Sequence, residues 1–81
     1  MKPAEILLQE ALSRMGFIVA RHGYSMLVYD DRLEAFIHVH NLYRLVSVRL
    51  YRFGQRESQD RILRGIADTL THYTIEVREV P

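Results

Sequence analysis

Residues Leu33–Phe53 read LEAFIHVHNLYRLVSVRLYRF, two alternating runs on either side of Asn41-Leu42. Successive side chains of a strand point to opposite faces, so each run splits into two sets. Leu33, Ala35, Ile37 and Val39 with Val46, Val48 and Leu50 form a uniformly apolar set, suited to a buried face. The other set is Phe36, His38 and His40 against Tyr43, Leu45, Arg49 and Tyr51. A buried face needs only the first. The second mixes aromatic rings, imidazoles and a guanidinium, and Tyr, Phe and Arg are enriched on contact surfaces. A two-residue turn at Asn41-Leu42 puts His40 opposite Tyr43, Ile37 opposite Val46, Ala35 opposite Val48 and Leu33 opposite Leu50. It also sets Glu34 across from Arg49, a charge pair worth about 0.2–1 kcal/mol.

Upstream, residues 3–15 predict a helix. Pro3 suits its first position, Glu5 its first turn, Arg14 its last and Gly16 its C-terminal cap. Ala4, Leu7, Leu8, Ala11, Leu12 and Met15 recur at helical spacing, with Ile6 widening the stripe. Phe17–Arg21 and Tyr24–Tyr29 predict a second hairpin around His22-Gly23, with Phe17 opposite Val28 and Val19 opposite Met26. Asp30-Asp31 supplies the next turn through side-chain bonds to the local backbone.

Downstream, Gly54 interrupts the alternation and residues 56–71 predict a second helix. Its apolar stripe is Ile62, Leu63, Ile66, Ala67 and Leu70; Glu57–Arg61 and Asp60–Arg64 stand at the favourable i,i+4 spacing on its wet face. Gly65 costs the helix about 1 kcal/mol relative to Ala, a sacrifice that suggests close approach to the sheet. Tyr73–Val80 alternates again and ends the chain as a strand, expected beside the first strand so that the whole sheet is antiparallel. The expected fold is one two-layer α+β domain over residues 1–81, an antiparallel meander sheet with two helices on one face, in the order α-β-β-β-β-α-β. This element order is similar to that of small secretion-chaperone-like α+β domains, which dimerise and hold protein segments; the likeness implies no site residue.

At 81 residues the chain buries about 60–65% of its unfolded surface, a thin margin for stability. It has no cysteine, hence no disulfide framework and no thiolate chemistry, which points to a reducing compartment and a cytoplasmic location. No apolar run approaches a membrane span and no signal-peptide core precedes the first helix, so no membrane association is expected. A net charge of +1 gives no global attraction to nucleic acid. Ten of the eleven basic residues are arginines, a bias that genomic composition explains as readily as stacking or bidentate recognition does.

Several chemistries compete for the mixed face. His38 and His40 lie about 6.5–7 Å apart along one strand and point the same way, so they could share a metal. A third ligand would come from His22, His72 or Glu34, the last expected on the same face but two pleats from His38; with no cysteine and no Asp or Glu adjacent in the pattern, no metal or other cofactor is expected. Tyr29, Phe36, Tyr43, Arg49 and Tyr51 could stack single-stranded bases, and residues 44–64 hold six arginines against Glu57 and Asp60. Those arginines do not share a face, and no RNA-recognition motif accompanies them. Ser25, Ser47 and Ser58 have no nucleophile motif around them, and the glycines form no phosphate loop, so no catalytic residue and no enzymatic activity are expected.

Ile18, Leu27, Phe36 and Leu45 add apolar area to the mixed face, and contiguous patches of that kind mark interaction sites. A third layer built by the terminal segments would hide the patch, but little chain remains to make one. The expected function is a small protein-binding module: an adaptor, a chaperone-like protein or an inhibitor of a larger protein, of the kind phages and mobile elements encode. Its binding face would be Phe36, His38, His40, Tyr43, Leu45, Arg49 and Tyr51, occupied by a protein partner or by a second copy in a homodimer. Binding of single-stranded nucleic acid through the same face is the alternative.

Overall fold

Pro3 and Gly16 bracket the first helix, Pro3 as its extended N-cap and not its first helical residue. In the computed structural model, which describes residues 1–81, helix α1 spans Ala4–Arg14, with extended Pro3 before it and Gly16 at φ +100° just beyond Met15. Glu5, Leu8 and Leu12 are its buried residues; Leu7 is exposed instead of joining the stripe. Four strands follow, β1 (Ile18–His22), β2 (Ser25–Tyr29), β3 (Leu33–His40) and β4 (Leu45–Tyr51), then helix α2 (Arg56–Thr69) and strand β5 (Thr74–Val80). The order is α-β-β-β-β-α-β, an α+β fold with both helices packed on the sheet.

Both hairpins pair two residues away from the expected register. Strand β1 sets Val19 opposite Val28 and Arg21 opposite Met26, and the turn is Gly23-Tyr24. Gly23 takes φ +64°, a conformation that favours glycine. Phe17 therefore precedes the strand; it is buried, and the Arg61 guanidinium lies 5.0 Å above its ring. Between β3 and β4 the connection is four residues, Asn41–Arg44, not two: a single 3-10 turn closed by Arg44 at φ +49°. Asn41 anchors it, donating to Glu5 Oε1 and accepting from the Tyr73 hydroxyl. Ala35 then faces Leu50, Ile37 faces Val48 and Val39 faces Val46. A two-residue shift leaves the paired side chains of β3 and β4 on their expected faces, with Glu34 and the turn residue Tyr43 as exceptions.

Glu34 is where the expected pairing fails. Tyr29 pairs with Leu33 while Val28 pairs with Ala35, so Glu34 is the extra residue of a bulge. Phe36, not Glu34, stands opposite Arg49. Glu34 is fully buried, and its Oε1 accepts from the backbone N–H of Gln55, the residue that caps α2.

The last strand also departs from expectation. Strand β5 lies beside β4, not β1, and runs parallel to it, giving the sheet order β1-β2-β3-β4-β5. A strand that returns after a helical crossover arrives parallel, and the free edge of β4 was the nearer acceptor. Thr74 N–H donates to Arg44 O at one end of this ladder and Arg52 N–H to Val80 O at the other.

One core lies between the layers: Leu8 and Leu12 of α1, Ile62, Ile66 and Leu70 around α2, and eight sheet residues from Met26 to Leu50. Gly65 does allow a close approach, but to α1. A Cβ there would meet Met15 Sδ at 2.8 Å and Leu12 Cδ2 at 3.2 Å. Ala67, assigned to the apolar stripe, is exposed. No helix is long and apolar enough to cross a membrane.

Candidate functional site

Because α1 and α2 share one face of the sheet, the other face has no layer over it, and no terminal segment supplies one. Pairing registers lay out this outer face row by row. One row runs Ala20, Leu27, Phe36, Arg49, Arg78; the next runs His22, Ser25, His38, Ser47, Glu76. His40, Leu45 and Thr74 flank the second row, and Tyr51 pairs with Val80 beyond the first. Ile18, at the far edge, is 67% exposed.

The apolar row is organised around Phe36. The Arg49 guanidinium lies 5.6 Å from its ring centroid, a cation–π contact that holds Arg49 over the face. Tyr51 stacks on Phe53 with centroids 5.3 Å apart. In the polar row, Ser25 Oγ lies 2.6 Å from His38 Nδ1 and Ser47 Oγ lies 3.2 Å from His40 Nε2. The two imidazoles are 4.4 Å apart, tilted by 57°. Burial, and secondarily the neighbouring His40, hold the His38 imidazole below its ordinary pKa of 6.5, so the neutral ring is favoured.

The structure brings Phe36, His38, His40, Leu45, Arg49 and Tyr51 onto this one face. Tyr43 is different. It belongs to the β3–β4 turn, is 76% exposed, and lines a shallow hollow of about 310 Å³ with Tyr24, Leu42, His38 and His40 at the end of the sheet. Glu34 leaves the set of candidate metal ligands, because its carboxylate meets the N-terminus of α2 on the helical side. Both histidines already have one ring nitrogen engaged by a serine, and neither is hydrogen-bonded to a carboxylate of the kind that orients a catalytic imidazole.

Among the arginines of residues 44–64, only Arg49 is on the outer face. Arg44 and Arg52 occupy turns, and Arg56, Arg61 and Arg64 belong to α2 in the opposite layer. Residues 74, 76, 78 and 80 were missing from the expected face. Their alternation is visible in the sequence, but face membership alone does not say which strand lies alongside, and that strand is β4. Ser25 and Ser47 emerge as partners of the histidines for the same reason, since cross-strand register decides which side chains meet.

The molecule is thus a small α+β domain with one helix-covered and one uncovered sheet face. No protein-family model, curated protein or solved structure matches the chain.

Proposed function

We propose that this chain is a protein-binding module whose uncovered sheet face, centred on Phe36, receives a surface or segment of another protein. The observation that carries this reading is the row Leu27–Phe36–Arg49 beside the Ser25–His38–Ser47 row, apolar and polar strips side by side with no layer above them. Burying Phe36, Leu45 and Tyr51 would supply most of the affinity, while Arg49, His38 and His40 fix orientation. Function is then occupancy: an adaptor, a chaperone-like holder or an inhibitor that blocks a larger protein, the last being a role that phage- and mobile-element-encoded proteins of this size fill. The cysteine-free composition favours a reducing, cytoplasmic setting.

The test is affinity capture from the native host with the wild-type chain, Phe36→Glu and Tyr51→Glu, followed by reconstitution of the captured protein with the purified chain. Binding should survive added salt and fall at least tenfold in either variant, with circular dichroism unchanged. Retention of single-stranded nucleic acid, weakening log-linearly with salt, would replace this reading with the nucleic-acid one. Undiminished binding by both variants would remove the face from consideration altogether.

A further inference from the structure

Strand β5 forms one border of the sheet, and its backbone shows which groups face outward. Thr74 N–H and Val80 O both bond on the β4 side, to Arg44 O and Arg52 N–H at the two ends of that strand. In a parallel ladder each residue directs its N–H and C=O to the same side, and sides alternate along the strand. Thr74, Glu76, Arg78 and Val80 therefore face β4, while Ile75, Val77 and Glu79 direct their donors and acceptors out of the sheet, where no strand meets them. On the helical side this border is open as well: Val77 is 48% exposed.

The side chains are equally incomplete. Arg78 pairs across the ladder with Arg49, a like charge, and Glu76 pairs with Ser47. The chain's one salt bridge is Lys2–Glu10, so neither Glu76 nor Arg78 has a counterion. Edge strands with unpaired backbone are templates for another chain unless something blunts them. A strand meeting this edge in antiparallel orientation must align outward-facing residues with outward-facing residues. Two copies can satisfy that symmetrically about Glu76, Val77 or Arg78. Centring on Glu76 or Arg78 would set like charges face to face. Centring on Val77 pairs all seven residues, Thr74 with Val80, Ile75 with Glu79, and Glu76 with Arg78 on both sides of the axis. Those two charge pairs fall at non-hydrogen-bonded positions, where side chains approach most closely. Pro81 then lies just past the last pair and stops the ladder from extending.

We propose that β5 pairs antiparallel with β5 of a second copy, centred on Val77, with Glu76 of each copy opposite Arg78 of the other. The two five-stranded sheets become one. Such an interface is isologous and closes at two copies. The axis stands perpendicular to the sheet, so both outer faces lie side by side and stay uncovered. The inference is independent of what occupies those faces.

The test is solution mass by light scattering over a concentration series, read together with residue-resolved amide exchange. Wild type should approach twice the mass of one chain as concentration rises, and the Ile75, Val77 and Glu79 amides should become protected in step. Glu76→Arg or Arg78→Glu should each weaken the dimer at least tenfold, and the double swap E76R/R78E should restore it. Val77→Pro removes an outward donor without touching the β4 ladder, and should give a folded single-chain species. A wild type that stays at the mass of one chain at every concentration overturns the proposal; the edge charges would then serve to keep strands apart. A dimer indifferent to Glu76→Arg and abolished by Phe36→Glu also overturns it, and assigns self-association to the sheet face.

Discussion

His38 has the most constrained chemistry on the outer face. Its Nδ1 is held by Ser25 and its ring is crowded by His40, while burial disfavours the charged form. The folded-state pKa lies below the ordinary 6.5, so between those two values the unfolded chain binds more protons than the folded one. Stability contributed by this residue is therefore complete above about pH 6.5, rises with pH across that window, and is lost on acidification through it. A nitrogen-detected NMR titration should place the His38 midpoint below 6.5. His40→Ala should raise the His38 midpoint without bringing it fully to the ordinary value, since the larger cause, burial, persists. An unchanged midpoint in that variant would remove His40 as a cause. The His-x-His spacing was legible in the sequence. The serines that engage it were not, because the expected register set Leu45 opposite His38 and Ser47 opposite Phe36.

Among the elements, α2 depends most on a residue from elsewhere. Gln55 offers no side-chain cap, and its own backbone N–H, just ahead of the helix, donates to Glu34 Oε1 at 2.7 Å. Glu34 also presents negative charge to the positive end of the helix dipole. Gln59 adds bonds from its side-chain amide to Glu34 O and Tyr51 O, and Ser58 donates to Asp30 Oδ2. Gly54 is hydrogen there because a Cβ would collide with the Glu34 carboxylate and the Gln59 amide. Asp30, read as a turn residue, is thus also a tertiary anchor. Glu34→Ala should lower stability by about 0.5–1.5 kcal/mol, the net worth of the hydrogen bond it removes, seen as a lower urea midpoint at unchanged slope. Arg49→Ala should stay within about 0.5 kcal/mol of wild type. Equal losses in the two variants would revive the cross-strand Glu34–Arg49 pair. The sequence exposed period-two faces and both helical stripes, which are local properties. It hid the bulge and the four-residue turn, because Arg44 in a left-handed conformation and Asn41 bridging Glu5 to Tyr73 are settled by distant contacts.

At the scale of the whole molecule, all four strand pairings join consecutive strands, but three are closed by short turns and the fourth spans a helix. The β3–β4 hairpin closes over the Asn41–Arg44 turn, whereas Leu45 meets Thr74 only after roughly thirty residues, including all of α2, so the loop entropy of that last closure is the largest in the sheet. The sequence could not place β5 for the same reason: neither its alternation nor its length distinguishes one free edge from another. Delayed closure has a kinetic consequence. The meander and helices can form a nucleus while β5 is still unattached, and the strand docks afterwards. Ile75→Ala, which trims the β5 side chain packed against the core, should speed unfolding and leave the refolding rate unchanged in stopped-flow measurements at a concentration where the mass is that of one chain. Refolding slowed in proportion to the lost stability would instead put β5 inside the nucleus. The parallel strand would then be the last part of the sheet to arrive and the first to leave, and the native state would open from its C-terminal border inward.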